Sequence, residues 1–350
     1  MPVATKIARI WKSDGSKRVL FQNRLFCRAH VPTRMRAFVD GEWRDYDEIT
    51  NESGEFERAT TSFRFWIGED GAFPLEPDRY HLYVSYACPW AHRTLITRKL
   101  RGLEDIISVD VVDPWRGEDG WQFSPEKDGC TSDTVNGANY LRELYVEADA
   151  DYTGRVTVPV LWDKERGTIV NNESREIMRM LDTRFDEYAN DRTLLLEGKE
   201  EEVDRVLDEI YPSINNGVYC AGFAESQEAY DEAIDELFDA LDHWDEVLAD
   251  QRYLVGDELT EADVAMFTTL VRFDEVYHTH FRCNVRQITD YDNLWGYLRD
   301  VYQTDGVAET VDMSHIKEHY YTTHDDLNPK RIVPKGPSPE FDTPHDRDKL

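Results

Sequence analysis

One segment, residues 80–100, restricts the fold of this chain more than any other. It reads YHLYVSYACPWAHRTLITRKL. The apolar stretch HLYVSY predicts a short strand, and Pro89 is well placed to open a helix that ends before Gly102. Cys88 therefore joins the end of a predicted strand to the start of a predicted helix.

The elements that follow extend this pattern into a defined order. The stretch IISVDVV (106–112) predicts a second strand because it is rich in β-branched residues. Residues 113–138 are rich in Gly, Asp and Ser and predict an insertion, after which YLRELYVEAD predicts a helix. VTVPVLWD (156–163) and TIVN (168–171) predict two more strands, and ESREIMRMLDTRF predicts a helix with one apolar face. The order β-α-β-α-β-β-α is that of the thioredoxin fold.

The second half of the chain has the periodicity of helices. In residues 228–248 apolar side chains recur at near-helical spacing, with Ser226 as the expected N-cap. Thr260 and Asp263 have the spacing of a capping box at the start of another helix. The fold class is therefore α/β plus all-α. We predict a basic extension at 1–34, an N-terminal extension or lid at 35–75, a thioredoxin-like domain at 76–188, an all-helical domain at 189–324 and an extended, Pro-rich tail at 325–350.

An acidic composition restricts the partners. The chain has 71 Asp and Glu against 40 Lys and Arg, a formal charge of −31. Such a field repels nucleic acid and anionic membranes, so neither is an expected partner. Because the acid is spread along the chain, we expect a protein of a halophilic archaeon, whose salt at about 1 M shortens the Debye length to about 3 Å. The alternative is an ordinary acidic protein.

Residues 1–34 depart from this composition, with eight basic residues and one acid. One interpretation is an Arg-rich transit peptide. We favour the other, in which translation starts at Met35 and the preceding residues are upstream sequence or a flexible extension.

The spacing of the five cysteines indicates the redox state of the compartment in which the protein works. They are scattered and contain no CxxC pair, which predicts free thiols in a reducing cytoplasm rather than a disulfide framework or a zinc site. Their positions are Cys27, Cys88, Cys130, Cys220 and Cys283.

Cys88 has the sequence context of a catalytic thiol. At a helix start, the dipole and the free N–H groups stabilise a thiolate. We expect His92 and Arg93, in the next turn, to add positive potential. The third residue after the cysteine is Ala91, so the motif has no resolving cysteine, which favours resolution by a small external thiol. A buried structural cysteine is the alternative.

Two further pairs describe a binding site beside this thiol. In this fold the proline of Val158-Pro159 is expected to be cis, leaving the backbone of Val158 to pair with a peptide-like ligand. Glu173 and Ser174 open a predicted helix, where N–H groups and the hydroxyl can take a carboxylate and Glu173 an ammonium. Simple helix capping is the alternative for this pair. Together the residues describe a site for a γ-glutamyl-cysteinyl thiol.

At this point the chain resembles a known family. The stretches YHLYVSYACPWAHRTLITRKLRGLE, GRVTVPVLWD, NNESREIMRM, NNGVYCAGFAESQEAYDEA and LTEADVAMFTTLVRFDEVYHTHF are similar to the glutathionyl-hydroquinone reductases, the Xi class of glutathione transferases. The resemblance runs from about Arg36 to the C-terminal tail. It assigns the family's catalytic residues to Cys88, Tyr219 and Tyr320, and its thiol-binding residues to Trp121, Arg155, Val158, Glu173 and Ser174.

The resemblance implies a glutathione-transferase architecture and a thiol-dependent reductase. Such an enzyme removes a glutathionyl or γ-glutamylcysteinyl group from hydroquinone conjugates through a mixed disulfide on Cys88. Its cosubstrate is glutathione or γ-glutamylcysteine, and it uses no metal. We expect a homodimer in the cytoplasm.

Several alternatives stay open. The same Cys88 fits an omega-like thioltransferase that acts on mixed disulfides, and the chain could also be a non-catalytic protein that kept the scaffold. Tyr219 and Tyr320 could serve packing alone. His315 and His319 have a spacing that can bind a metal, but the HExxH glutamate is missing, so we expect no metal site.

Overall fold

The computed structural model describes residues 36–45, 55, 61–68 and 71–350. The predicted basic extension at 1–34 lies outside the described residues. Within the described part, none of the helices is both long enough and apolar enough to cross a bilayer.

A four-stranded sheet is at the centre of the first half. Its strands are β3 (Tyr80–Val84), β4 (Ser108–Val111), β5 (Val160–Asp163) and β6 (Thr168–Asn171), in the order β4-β3-β5-β6. Strand β3 runs parallel to β4 and antiparallel to β5, and β6 is antiparallel to β5. The helices between and after them are α1 (Pro89–Leu100), α2 (Leu141–Ala148) and α3 (Ser174–Thr183). The predicted β-α-β-α-β-β-α order is confirmed.

Two local details differ from the sequence prediction. The strand expected over 156–163 begins only at Val160, because Pro159 has no N–H to give to a ladder. Within the predicted extension or lid at 35–75, the structure has a hairpin for which the sequence analysis gave no strands: β1 (Arg36–Val39) and β2 (Glu42–Asp45) are antiparallel.

The second half is helical. Its helices are α4 (Glu200–Ile210), α5 (Gly217–Gly222), α6 (Gln227–Val247), α7 (Glu261–Arg272), α8 (His278–His280), α9 (Leu294–Gln303) and α10 (Met313–Thr323). Short π-helical segments, Tyr211–Asn215 and Phe273–Tyr277, connect α4 to α5 and α7 to α8. Such π segments are frequent at functional sites.

N-terminal caps define where the helices α6 and α7 begin. Ser226 caps α6 by accepting a hydrogen bond from the Ala229 N–H at 3.1 Å. Thr260 and Asp263 form the predicted capping box at the start of α7. Every residue of α7 is buried, so this helix is the core of the helical half.

The tail at 325–350 packs on the helical half. Phe341 stacks on Tyr302 with ring centroids 5.0 Å apart. Arg347 is only 5% exposed, and its guanidinium donates hydrogen bonds to the carbonyls of Leu248, Gln251 and Arg252 just beyond α6.

Candidate active site

Cys88 is the N-cap residue of α1, with Pro89 at the first helical position. Its side chain makes no capping hydrogen bond; instead the thiol lies 3.5 Å from the carbonyl oxygen of Val158. The peptide bond between Val158 and Pro159 is cis, as the sequence predicted. The structure therefore brings the thiol and the valine backbone together at the start of α1.

His92 does not supply the positive charge that was expected of it. Its ring is completely buried, and burial together with the charge of Arg272 holds the pKa of His92 well below its usual range. His92 is neutral at physiological pH, so that expectation is wrong. The physical reason is tertiary: residues distant in the sequence cover the helix face that carries the ring.

Arg93 does keep a charge near the cysteine. It is 3% exposed, donates to Oδ1 of Asn215 at 2.8 Å and lies 4.5 Å from the ring centroid of Trp90. Burial lowers the pKa of Arg93 to about 10, while the negative charges of Glu173 and, more weakly, of Cys88 act in the opposite direction. The guanidinium is therefore charged at neutral pH.

Glu173 and Ser174 stand at the start of α3. One carboxylate oxygen of Glu173 accepts from the backbone N–H of Arg175 at 3.3 Å, and the other from the hydroxyl of Thr61 at 3.4 Å. Glu173 therefore caps the start of α3. This cap leaves further lone pairs of the carboxylate open to a ligand. Glu173 also lines a cavity of about 460 Å³ together with Arg93.

Three tyrosine hydroxyls meet between the helices of the second half. The Tyr320 hydroxyl on α10 lies 2.5 Å from that of Tyr219 on α5 and 2.9 Å from that of Tyr277. Burial raises the pKa of Tyr320 and of Tyr277 well above the usual range, so both hydroxyls stay protonated and can donate hydrogen bonds. The sequence predictions missed Tyr277, because in sequence it has the pattern of a core aromatic.

A second cavity, of about 270 Å³, lies beside this cluster. Tyr219, Arg155, Arg116 and His319 are among the residues that line it. Trp121 stacks on His319 with ring centroids 5.1 Å apart, and the Arg116 guanidinium carbon is 5.6 Å from the Trp121 ring centroid. The indole N–H of Trp121 is buried and has no hydrogen-bond partner in the described structure. Trp121 does not itself line the cavity; it packs behind the lining residues His319 and Arg116.

The charge of Cys88 influences one arginine in the lining of each cavity. Burial lowers the pKa of Arg116, and the negative charge of Cys88 is the largest opposing influence. Arg93, which lines the other cavity, is also influenced by the charge of Cys88.

The histidines of α10 bind backbone carbonyls. His315 lies with Nε2 at 2.7 Å from the carbonyl oxygen of Asp128, and His319 with Nδ1 at 2.6 Å from that of Pro114. Burial lowers the pKa of His319 to about 3. Across the described ranges, no group of three or more His, Cys, Asp or Glu side chains is arranged to hold a metal ion.

Comparison with known proteins identifies the family. The model of the glutathione S-transferase N-terminal domain matches residues 87–184, and that of the C-terminal domain matches 227–300. A solved Xi-class glutathione transferase from Natrialba magadii, a halophilic archaeon, is 66% identical with a TM-score of 0.88, over 91% of this chain and 99% of that one. The chain belongs to the Xi-class glutathione transferases.

The Xi-class relatives include two with named activities. Glutathionyl-hydroquinone reductase YqjG of Escherichia coli is 50% identical over 90% of this chain and 99% of that protein. Glutathionyl-hydroquinone reductase PcpF of Sphingobium chlorophenolicum is 47% identical over 87% of this chain and 97% of that protein. A glutathione-bound structure of YqjG matches with 48% identity and a TM-score of 0.82 over 89% of this chain and 99% of that one. The predicted fold class and family resemblance are thereby confirmed.

Proposed function

We propose that this protein is a glutathionyl-hydroquinone reductase. The observation that carries the proposal is the position of Cys88 at the start of α1, with its thiol 3.5 Å from the carbonyl oxygen of Val158. The names of the relatives YqjG and PcpF support the substrate class.

Each cavity would bind a different part of the thiol. Glu173 and the N-terminus of α3, which starts at Ser174, would bind the γ-glutamyl head through its ammonium and carboxylate. The backbone of Val158 would pair with the cysteinyl unit, which sets its sulfur beside Cys88. Arg155 would then face the C-terminal carboxylate of the thiol, with Trp121 packed behind the lining of its cavity.

The first chemical step breaks a carbon–sulfur bond. A proton moves from a ring hydroxyl of the conjugate to the ring carbon that bears sulfur, so that this carbon becomes sp³ and the oxygen becomes a carbonyl. The Cys88 thiolate attacks the thioether sulfur, and the electron pair of the broken bond passes through the ring to the carbonyl oxygen. Tyr219 and Tyr320 donate hydrogen bonds to that oxygen, and one of them supplies the proton that completes the hydroquinone.

The second step regenerates the enzyme. A second thiol attacks the mixed disulfide, releases the Cys88 thiolate and leaves as a disulfide with the first. The conjugate is reduced and the thiol is oxidised, so the thiol is the only reductant that the balance requires.

The relative rates on two substrates test the proposal. We expect turnover of a glutathionyl-hydroquinone to exceed that of a glutathione mixed disulfide by at least about tenfold in kcat/KM, because only the former uses the tyrosine hydroxyls in its transition state. The competing thioltransferase function is favoured by one relative, the glutathione S-transferase omega-like 2 of Schizosaccharomyces pombe, 46% identical over 84% of this chain and 96% of that protein. Faster turnover of the mixed disulfide would support that function instead.

Thiol preference gives a second test. The residues proposed to read the γ-glutamyl head and the cysteine serve glutathione and γ-glutamylcysteine alike, so we expect both to support turnover at molar KCl, with γ-glutamylcysteine modestly favoured. Arg155→Met should alter the ratio of the two KM values. The carboxylate that Arg155 is proposed to bind lies at a different position in each thiol, so losing the guanidinium should weaken the binding of the two thiols unequally. Glu173→Gln is the matched control: it should raise both KM values by the same factor. Strict dependence on glutathione, or loss of activity at molar KCl, would contradict this.

The homodimer, the cytoplasmic location and the division of the chain into five segments stay predictions from the sequence. Sedimentation equilibrium of the purified chain tests the first of them directly.

A further inference from the structure

Arg272, at the end of α7, is completely buried yet binds only neutral groups. Its guanidinium donates to the carbonyls of Tyr86 at 2.9 Å, Ala87 at 3.1 Å and Thr268 at 2.7 Å, and to Nδ1 of His92 at 3.0 Å. Two of these carbonyls belong to the residues directly before Cys88. The guanidinium therefore holds the loop that presents the cysteine.

Two of the other buried arginines have carboxylate partners: Arg79 pairs with Asp163 at 2.7 Å, and Arg101 pairs with Asp182 at 3.3 Å. Arg93 and Arg347, like Arg272, are buried and donate hydrogen bonds to neutral groups. Arginine keeps its charge inside proteins, and a buried charge without a counter-ion is destabilising. With 71 acidic residues in the chain, a scarcity of carboxylates does not explain the arrangement at Arg272. Local violations of this kind concentrate at functional sites.

The hydrogen bonds around His92 show that the charge stays on Arg272. Because a guanidinium only donates, Nδ1 of His92 accepts, and Nε2 must carry the proton of the neutral ring. That Nε2–H donates to the hydroxyl of Thr310 at 2.8 Å, which in turn donates to the carbonyl of Val307 at 2.6 Å. His92 is thus a neutral acceptor that orients the guanidinium.

We propose that Arg272 is a positioning residue for Cys88: it fixes the two peptide carbonyls before the cysteine, and its unopposed charge favours the Cys88 thiolate. This inference rests on the proposed role of Cys88 as the reactive thiol. The positive charge of Arg272 also reaches the tyrosine cluster, where it opposes the effect of burial on the pKa of Tyr277 and Tyr320. Glu275, on the segment after α7, does not neutralise it, since Glu275 pairs with Lys317 at 2.7 Å.

Other charged and titratable groups surround the thiol, and the test must separate Arg272 from them. Arg93 on α1 and Arg116 after β4 both interact with the charge of Cys88. Glu173 lines the same cavity as Arg93, Tyr219 lines the same cavity as Arg116, and the hydroxyls of Tyr320 and Tyr277 complete the cluster at Tyr219. The substitution of Arg272 leaves all of them in place.

The test is the pH dependence of Cys88 alkylation by iodoacetamide, followed by mass spectrometry of its peptide in the folded, full-length protein. We expect Arg272→Met to raise the midpoint by about one pH unit, the size of shift that one neighbouring charge produces, and Arg272→Lys to raise it by less than half as much. Arg347→Met is the matched control, because Arg347 is also buried and also binds three carbonyls, but at the end of α6. Its midpoint should equal that of the wild type.

A folded Arg272→Met variant with an unchanged midpoint would overturn the proposal. If that variant does not fold, the midpoints of His92→Asp and His92→Asn test the proposal instead. The two variants differ by one negative charge placed next to the Arg272 guanidinium. A higher midpoint for His92→Asp supports the proposal, and equal midpoints overturn it. Alkylation needs no hydroquinone conjugate, so failure of the proposed reductase activity would leave this measurement intact.

Discussion

Replacing Cys88 with alanine is expected to reduce turnover of a glutathionyl-hydroquinone to below about one per cent of the wild-type rate, because the proposed mixed disulfide forms on its sulfur. The fold should be unaffected. The cysteine side chain makes no capping hydrogen bond to α1, so the loss of the thiol and of its contact with the Val158 carbonyl leaves the start of the helix intact. Steady-state kinetics and thermal unfolding of the purified variant measure the two effects separately.

Cys88→Ser is the matched control, with nearly the same volume. A serine hydroxyl is not ionised near neutral pH even at a helix N-terminus, so this variant should be almost as inactive. Turnover above a few per cent in either folded variant would show that Cys88 is not the nucleophile. Of the other described cysteines, Cys130 is a poor substitute because burial raises its pKa to about 12, and burial likewise raises the pKa of Cys283.

Removal of the Tyr320 hydroxyl is expected to lower kcat by about 10- to 100-fold while changing KM less than about threefold. The hydroxyl contacts those of Tyr219 and Tyr277, and the hydrogen bond that we propose it donates to a substrate oxygen would strengthen as charge develops there. Tyr320→Phe leaves the buried ring in place, so the loss can be assigned to the hydroxyl. Tyr219→Phe should behave in the same way.

A control distinguishes catalysis from loss of stability. Tyr297 is also completely buried, and its hydroxyl donates to the carboxylate of Asp263 at 3.0 Å in the core of the helical half. Tyr297→Phe should lower the melting temperature without lowering kcat at a temperature where the protein is folded. Wild-type kcat in both Tyr219→Phe and Tyr320→Phe would show that these tyrosines serve packing alone.

Local patterns were sufficient to predict most of the fold. The strand before Cys88, the helix after it and the capping box at Thr260 each depend on neighbours in sequence, and each is present in the structure. The hairpin at residues 36–45 was also predictable, since Asp40 and Gly41 both have positive φ and the pair Asp-Gly is a strong hairpin-turn signal. The residues around this pair mix aromatic and polar side chains without a clear strand pattern, so the turn signal was missed.

The electrostatics of the site could not be predicted in this way. The local sequence around His92 is compatible with an exposed, charged ring and with a buried, neutral one. The packing of α7 and of the Thr310 segment against the ring decides which of the two states forms. For the same reason Arg272 and Tyr277, 184 and 189 positions after Cys88, carried no sequence signal of proximity to it. The family resemblance supplied Tyr219 and Tyr320, whereas composition and spacing alone did not.

The buried position of Arg347 bears on how the gene for this protein can be altered. The guanidinium occupies carbonyls that follow a helix end, groups that would otherwise lack partners. A truncation that removes the tail from Arg347 onwards would delete this guanidinium and leave the carbonyls beyond α6 without these hydrogen bonds. A purification handle is therefore best joined through a flexible linker after Leu350, whose side chain is exposed.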